Sequence, residues 1–381
     1  MEASPIYKLP QDTLHQIFSS LPLRQIMICK SVCKFFNRML ASPSFIHLIS
    51  LTPPLRFLAL RPPPHHHHRH LSSQTSLHVY DPDQNQWLRF NLSFLPFRSA
   101  PHPVASATGL VYFWCDNHRD SVNSSEGKSL VVCNPLTSQF KVLPQLGSAW
   151  SKHGAVLVDS ANRVMVLTEL AFLFLSDRNP KSWLSFSANL PSKPRSPVLV
   201  SDSVFALCDV GSPWRSQWKL FRCQLSSLNN NNNHNHNHWM CLEKHEWADL
   251  FDIIKRPRLV RGHGNRLLMI GGLKSTFSLN PSCSTILILR LDLDRLEWEE
   301  AGRMPVEMYR CFQESTKLKV FGGGDRVCFS AKRLGKLALW IDCGDEDEDC
   351  WRWIEGAPGG GGSGDGLWRG FVFEARLTAL P

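Results

Sequence analysis

The feature that most restricts the fold is a short pattern recurring along most of the chain. A β-type apolar run enters a polar turn, and an aromatic residue follows. It appears as VYDPDQNQW ending at Trp87, VCNPLTSQF at Phe140, LSDRNPKSW at Trp183, LDLDRLEW at Trp298 and IDCGDEDEDCW at Trp351. One further copy, between Trp218 and Trp239, is blurred by an insertion and is taken to end at Trp239. The aromatic positions then fall about 43 to 59 residues apart, close to the period of propeller blades and kelch-type repeats once loop insertions are allowed for. A single four-stranded sheet cannot bury both its faces, whereas a ring of such sheets can. Six units can be counted, with seven as the alternative. The lone strand Trp368 to Leu377 is expected to complete the first unit and close the ring.

The remaining strand signals agree. Runs such as LRFLAL, GLVYFW, SVFAL, TILILRL and RVCFSA are separated by Pro, Gly, Asn, Asp and Ser, as in an all-β domain of short antiparallel strands. Gly pairs occur at Gly271-Gly272 and Gly322-Gly323, in the strands expected to lead their units. Four tracts interrupt the pattern: Pro62 to His70, Asn229 to His238, Asp345 to Asp349 and Gly359 to Gly366. Tracts this polar cannot bury enough apolar area to order themselves, so each is read as a loop insertion. The His tracts have no fixed geometry, so no metal site is assigned.

Before about residue 50 the period is different. Leu14, Ile17, Phe18 and Leu21 follow i, i+3, i+4, i+7 spacing on one helix face, and Pro22 ends that helix. A second apolar set follows at Leu23, Ile26 and Met27. A third helix carries Val32, Phe35, Phe36, Met39 and Leu40, and Ser42-Pro43-Ser44 is expected to stop it. The division is therefore a small helical domain at 1–50 and a β-propeller at 51–381. About 40 residues rarely stabilise themselves, and their leftover apolar surface would mark a partner site.

The N-terminal segment resembles the F-box. The residues that carry the resemblance are Leu9-Pro10, Asp12, Leu14, Ile17, Phe18, Leu21-Pro22, Ile26, Ser31-Val32-Cys33-Lys34 and Phe36. The pairing of Gly109-Leu110-Val111-Tyr112 with Val132-Cys133-Asn134-Pro135-Leu136-Thr137 is similar to plant F-box proteins that carry kelch-type propellers, although most units here lack the Gly pair. The resemblance implies a three-helix hook that docks on a Skp-type adaptor. Through the adaptor it implies a cullin and an SCF-type ubiquitin ligase, of which this chain would be the substrate-recognition subunit. The expected adaptor-facing residues are Leu9, Pro10, Leu14, Ile17, Phe18, Leu21, Pro22 and Ile26. Val32, Phe35 and Met39 are expected to hold the hook together.

A substrate face can be placed from the repeat. Basic residues or histidine recur ahead of the first strand of successive units: Arg98, His153, Arg195, Arg258 and Arg310. Linkers between propeller blades converge on one face around the channel. Trp150 and Tyr309 lie close to them in sequence, as do Lys152, Lys193, Lys255 and Arg256. The planar guanidinium suits carboxylate or phosphate, so the expected partner is an acidic or phosphorylated segment of a target protein.

Other classes lack support. No GxSxG, HExxH, P-loop or helix-opening GxGxxG occurs, so no catalytic residue and no cofactor is assigned. A propeller enzyme, a carbohydrate-binding protein and a non-degradative scaffold stay open as alternatives. The chain has 42 Lys plus Arg against 33 Asp plus Glu, a net charge of +9. Its densest basic cluster, Lys255 to Arg266, enters a strand, so no nucleic-acid role is expected. The strongest apolar run, VMVLTELAFLFL, is broken by Thr168 and Glu169, and no membrane span is expected. The 12 cysteines form no CxxC pair and read as reduced core thiols of a cytoplasmic or nuclear protein.

Overall fold

The computed structural model describes residues 8–61, 76–97, 101–116, 128–146, 154–175, 182–226, 239–274, 283–315, 317–344, 350–358 and 367–381. The four low-complexity tracts lie outside the described residues.

The N-terminal hook holds α1 (Gln11–Ser19), α2 (Leu23–Val32), α3 (Lys34–Leu40) and α4 (Pro43–Leu48). Each Leu-Pro pair starts a helix. Pro10 and Pro22 occupy the N-cap positions of α1 and α2, where their missing N–H is no loss. Pro22 therefore opens α2 rather than merely ending α1. Cys33 separates α2 from α3, and its thiol accepts from the Phe36 N–H. The expectation of three helices falls one short. Ser42-Pro43-Ser44 does not just stop α3: Ser42 Oγ accepts from the Phe45 N–H and Pro43 opens α4. Serine before a first-turn proline is a start signal as much as a stop signal.

The apolar faces of the four helices meet in one core of Leu14, Phe18, Leu23, Ile26, Phe36, Met39, Leu40, Phe45 and Ile49. Phe18 and Phe36 pack edge to face, 5.1 Å between centroids. Leu377, from the end of the chain, is buried in the same core, and Leu55 and Leu136 border it. The hook is thus seated on the propeller.

The propeller has six blades, each a four-stranded antiparallel sheet. From the inside outward, blade 1 is Arg369–Ala375, Leu55–Arg61, Ser76–Asp81 and Gln86–Asn91. Its innermost strand comes from the end of the chain, registered from Leu55 opposite Ala375 to Arg61 opposite Arg369. The expected ring closure is therefore observed. The inner strands of the next five blades are His102–Ala107, Ala155–Val158, Arg195–Val200, Ile254–Arg261 and Leu318–Gly323. Each inner strand touches those of both neighbouring blades, completing the ring. Between each pair of adjacent blades lies one buried apolar cluster. Alternate residues of a strand serve different clusters: Val111 and Phe113 face blade 1, while Leu110 and Tyr112 face blade 3. The run broken at Thr168 and Glu169 is a hairpin of blade 3, Val164–Leu167 followed by Ala171–Leu175. Among the described residues, no helix is long and apolar enough to cross a membrane.

The repeated turn has a local cause. Asp81, Asn134 and Asp292 end their strands and accept backbone N–H groups two residues on, from Asp83, Leu136 and Asp294. Asn85, Ser138 and Leu296, each two residues before the repeat's aromatic, adopt φ of 49°, 61° and 57°. The aromatic then lies in the outermost strand. Trp87 and Trp183 reach across to the adjoining blade, their Nε1 donating to the carbonyls of Glu355 and Pro144 at 2.8 and 3.0 Å.

This topology gives the ring two distinct faces. All inner strands start on one face, here the mouth, and end on the other, the base. Leu55 and Ala375 lie at the base. Asp81 does as well, and its carboxylate pairs with Arg24 of α2. The chain end is held there too, because Asn134 Nδ2 donates to the carbonyls of Arg376 and Ala379, both at 2.9 Å. The hook therefore sits on the base, at blades 1 and 2.

Candidate functional site

On the mouth, a cavity of about 810 Å³ opens among blades 4, 5 and 6. Its cations are Arg195, Lys255, Arg256, Arg258, Lys317 and Lys319, and no carboxylate occurs among the described lining residues. The lining also includes the apolar residues Ile270, Ile286, Phe312, Leu318 and Val320, the first three of them buried.

The blade 4 and blade 5 cations are placed by one local device. Both inner strands start with a bulge, between Arg195 and Val198 and between Lys255 and Arg258. The sequences align as Arg195-Ser196-Pro197-Val198 and Lys255-Arg256-Pro257-Arg258. In each, the residue before proline has positive φ: 46° at Ser196 and 53° at Arg256. Bulges re-aim side chains and collect at functional rims, and non-glycine residues in this region are strained. Gly271, in the next strand, lets the blade 5 bulge lie close: a Cβ there would sit 2.9 Å from the Lys255 carbonyl oxygen.

Burial first, and crowding of like charge second, show in the titration of these groups. Burial, with the charges of Arg369, Arg258, Arg195 and Lys317, pushes Lys319 down to about 8. Burial, with Arg195 and Arg256, lowers Arg258 to about 10. Burial, with Arg369, lowers Arg61 to about 10, so the basic character extends round the mouth to blade 1. Burial and Arg256 lower Arg195 as well, against a smaller opposing pull from Asp209. Arg195 lies over the Trp218 ring at 4.5 Å, and its Nη1 is buried with no hydrogen-bond partner. Tyr309 is oriented by donating its hydroxyl to the Cys283 carbonyl at 2.7 Å.

The second candidate surface is on the hook. Ile17 (48% exposed), Leu9, Ile28, Val32 (64%) and Phe35 (38%) all present apolar area to solvent. Ile28 and Val32 are one turn apart on α2. Pro10 and Pro22 are exposed and Leu21 is half-buried.

The F-box-like family model matches residues 6–52, the hook with its four helices. SKP1-interacting partner 15 of Arabidopsis thaliana is 68% identical over 391 residues, covering 100% of both chains. The chain belongs to the F-box protein family. An F-box/kelch-repeat protein of Arabidopsis thaliana is 25% identical, over 92% of this chain and 82% of its own length. Protein UNUSUAL FLORAL ORGANS, from the same plant, is 23% identical over 97% of this chain and 85% of its own.

Several residues of this F-box protein lie elsewhere than the sequence suggests. Leu14, Phe18 and Ile26, expected to face outward, are inside the hook: Leu14 is 1% exposed and Ile26 0%. Val32 and Phe35, expected inside, are exposed, while Met39 is buried as expected. A small helical unit must spend its best apolar stripe on its own core, and what remains outside is the residue one step off that stripe. Ile28 escaped notice for that reason.

On the propeller, Arg195, Arg258 and Tyr309 do come together, with Lys255 and Arg256 beside them. Arg310 does not join them. It was expected just ahead of a blade strand, but Val306–Gln313 is a helix, α5 being Ala248–Ile253 and this one α6. Arg310 is exposed there and pairs with Glu307 at 3.1 Å. Its segment has helical apolar spacing at Met308, Tyr309 and Phe312 that outweighs the strand reading. Arg98, Trp150, Lys152 and His153 lie outside the described residues. Lys317 and Lys319 were missed because the true inner strand of blade 6 starts at Leu318. The rule of a cation ahead of each inner strand would have found Lys317, whereas Lys319 is the second residue of the strand itself.

Proposed function

We propose that this F-box protein is the substrate-recognition subunit of an SCF-type ubiquitin ligase, with no catalytic role of its own. In this reading residues 1–50 dock on a Skp-type adaptor that brings a cullin. Residues 51–381, a kelch-type propeller, hold the target protein. The observation that carries the reading is a hook seated on one face of the ring with a charged cavity open on the other, so both can be occupied at once. The printed name of the relative that matches the whole chain, SKP1-interacting partner 15, supports the adaptor half.

The adaptor surface in this reading is Leu9, Pro10, Ile17, Leu21 and Pro22, extended by Ile28, Val32 and Phe35. Their exposed apolar area fits helix-in-groove docking. The target segment is anionic, to suit the mouth. The protein works in the cytoplasm or nucleus, in keeping with 12 free cysteines.

The test is co-purification with a Skp-type adaptor and a cullin. Wild type should carry both, and Ile17→Asp/Val32→Asp should lose both with its melting temperature unchanged. A wild type that carries neither removes the reading.

A further inference from the structure

We infer that the protein pairs with a second copy of itself through the outermost strand of blade 3, Trp183–Ser187, the two copies of that strand joining in one antiparallel sheet. The inference does not depend on the receptor reading.

Each blade ends in a strand with no further strand beside it among the described residues. Such an edge is a template for another strand unless charge, proline or shortness blocks it. Four of the six edges carry charge: Arg89 in blade 1, Lys141 in blade 2, Glu299 and Glu300 in blade 5, and Arg352 in blade 6. The edge of blade 4, Trp239–Leu242, has only 4 residues, and Glu243 and Lys244 follow it at once. Blade 3 differs. Trp183-Leu184-Ser185-Phe186-Ser187 contains neither charge nor proline, and Leu184, Ser185 and Ser187 are exposed.

A strand that joins this edge has to be uncharged where the two meet, and has to offer an apolar side chain to Leu184, which is 48% exposed. The strand itself meets both demands. With a two-fold axis at Ser185, all 5 residues find a partner. Ser185 faces Ser185 of the other copy, Leu184 faces Phe186, and Trp183 faces Ser187. Leu184 and Phe186 lie two apart and so share one face of the sheet. The axis therefore makes two aliphatic–aromatic cross-strand pairs. Within one copy that face is already apolar: Leu184 is opposite Phe174 in the register, and Phe186 meets Phe174 edge to face at 6.0 Å. Leu170, 77% exposed, adds area at one end, where its carbonyl accepts from the Ala188 N–H.

The same patch serves both copies, so the interface closes at two and consumes both edges instead of seeding a fibre. Blade 3 carries neither the hook, at blades 1 and 2, nor the basic cavity, among blades 4, 5 and 6. Pairing there uses no residue of either surface. A contact built on 5 residues a side falls below about 1,200 Å², the class of weak, concentration-dependent complexes.

The experiment is sedimentation velocity on the full chain at roughly 1–100 μM. Wild type should run as one copy at the low end and as two at the high end. Ser185→Lys and Ser185→Glu each put like charges face to face on the axis, and each should weaken the dimer at least about ten-fold. Both replace an exposed side chain, so their melting temperatures at the low end should match wild type. An equal mixture of the two variants should recover the dimer, because opposite charges then meet on the axis. Three results would each overturn the inference. A wild type that stays single at every concentration leaves the edge to another protein or to another segment of the same chain. Variants that still pair put the dimer on a different surface. A mixture that stays single shows that Ser185 does not face its own copy.

Discussion

Arg24 of the hook forms an ion pair with Asp81 of blade 1, and the Asp81 side chain is almost wholly buried. The same carboxylate caps its own turn, accepting from the N–H groups of Asp83 at 3.1 Å and Gln84 at 3.3 Å. One acid therefore shapes a blade and ties the hook to it. With Leu377 in the hook core and Asn134 holding the chain end, the hook and propeller are fixed relative to each other. A receptor that presents a target at a set distance from a scaffold needs this rigidity.

The two roles of Asp81 can be separated. Asp81→Asn keeps a turn acceptor but discharges the pair, leaving the Arg24 guanidinium short of a partner at a site where its Nη1 already has none. The expected loss is about 1–3 kcal/mol. Asp81→Ala removes the turn caps as well and should cost more. Differential scanning calorimetry reads both. Discharging the pair should also split off an earlier transition for the hook, and a single unaltered transition would show that the pair does not couple the two parts.

Gly271 is a test of the bulge. An alanine there would press on Ile254 and on the Lys255 carbonyl, which as backbone cannot turn aside. Gly271→Ala should destabilise by about 1–3 kcal/mol, read as a lower urea midpoint with unchanged slope. It should also weaken anion binding, because Lys255 and Arg256 are carried on that bulge. Wild-type stability in the variant would mean the close approach is not needed.

Lys319 gives a pH signature. Its folded value, about 8, lies below the ordinary lysine value of 10.5. Between the two the unfolded chain binds more protons than the folded one, so stability rises with pH across about 8 to 10. The cost of holding a buried, charge-crowded ammonium is fully present below 8. Anion binding has the opposite trend and weakens as Lys319 loses its proton. Arg369, Arg258, Arg195 and Lys317 are the charges that bear on this amine. Lys319→Met should therefore melt higher than wild type at pH 7, flatten the pH–stability slope, and bind an anionic target segment less well. Melting curves from pH 7 to 10 check the first two; a variant that melts lower at pH 7 contradicts the assignment.

The repeat was legible in the sequence because its cause is local. An acid or amide capping the strand end, a left-handed residue and an aromatic all lie within about ten residues, and each outermost strand contains the aromatic that marks it. Blade count and ring closure followed from that. The linkers were harder to read. Val306 to Gln313 has apolar spacing compatible with helix, and only packing on blades 5 and 6 settles it. Within the hook, the stripe of Leu14, Ile17, Phe18 and Leu21 identified a helix but not which members point inward. That depends on where α3 and α4 cross it, a tertiary fact with no local signal.

The hook can be tested by a pair of variants one step apart. Leu14 is buried against α3 and α4, so Leu14→Ala opens a cavity in a core of only nine hook residues and Leu377. Losses of about 2–5 kcal/mol follow from such truncations, and a unit this small has little margin. Leu14→Ala should unfold the hook and abolish adaptor binding for that reason alone. Ile17, nearly half exposed, is not among those core residues, so Ile17→Ser should leave the melt within about 0.5 kcal/mol of wild type. Adaptor binding should still fall, by about ten-fold or more, the loss expected for an apolar anchor. Measuring melting and adaptor affinity on both variants separates the interior from the docking face. Full affinity in Ile17→Ser would place the adaptor on another part of the hook.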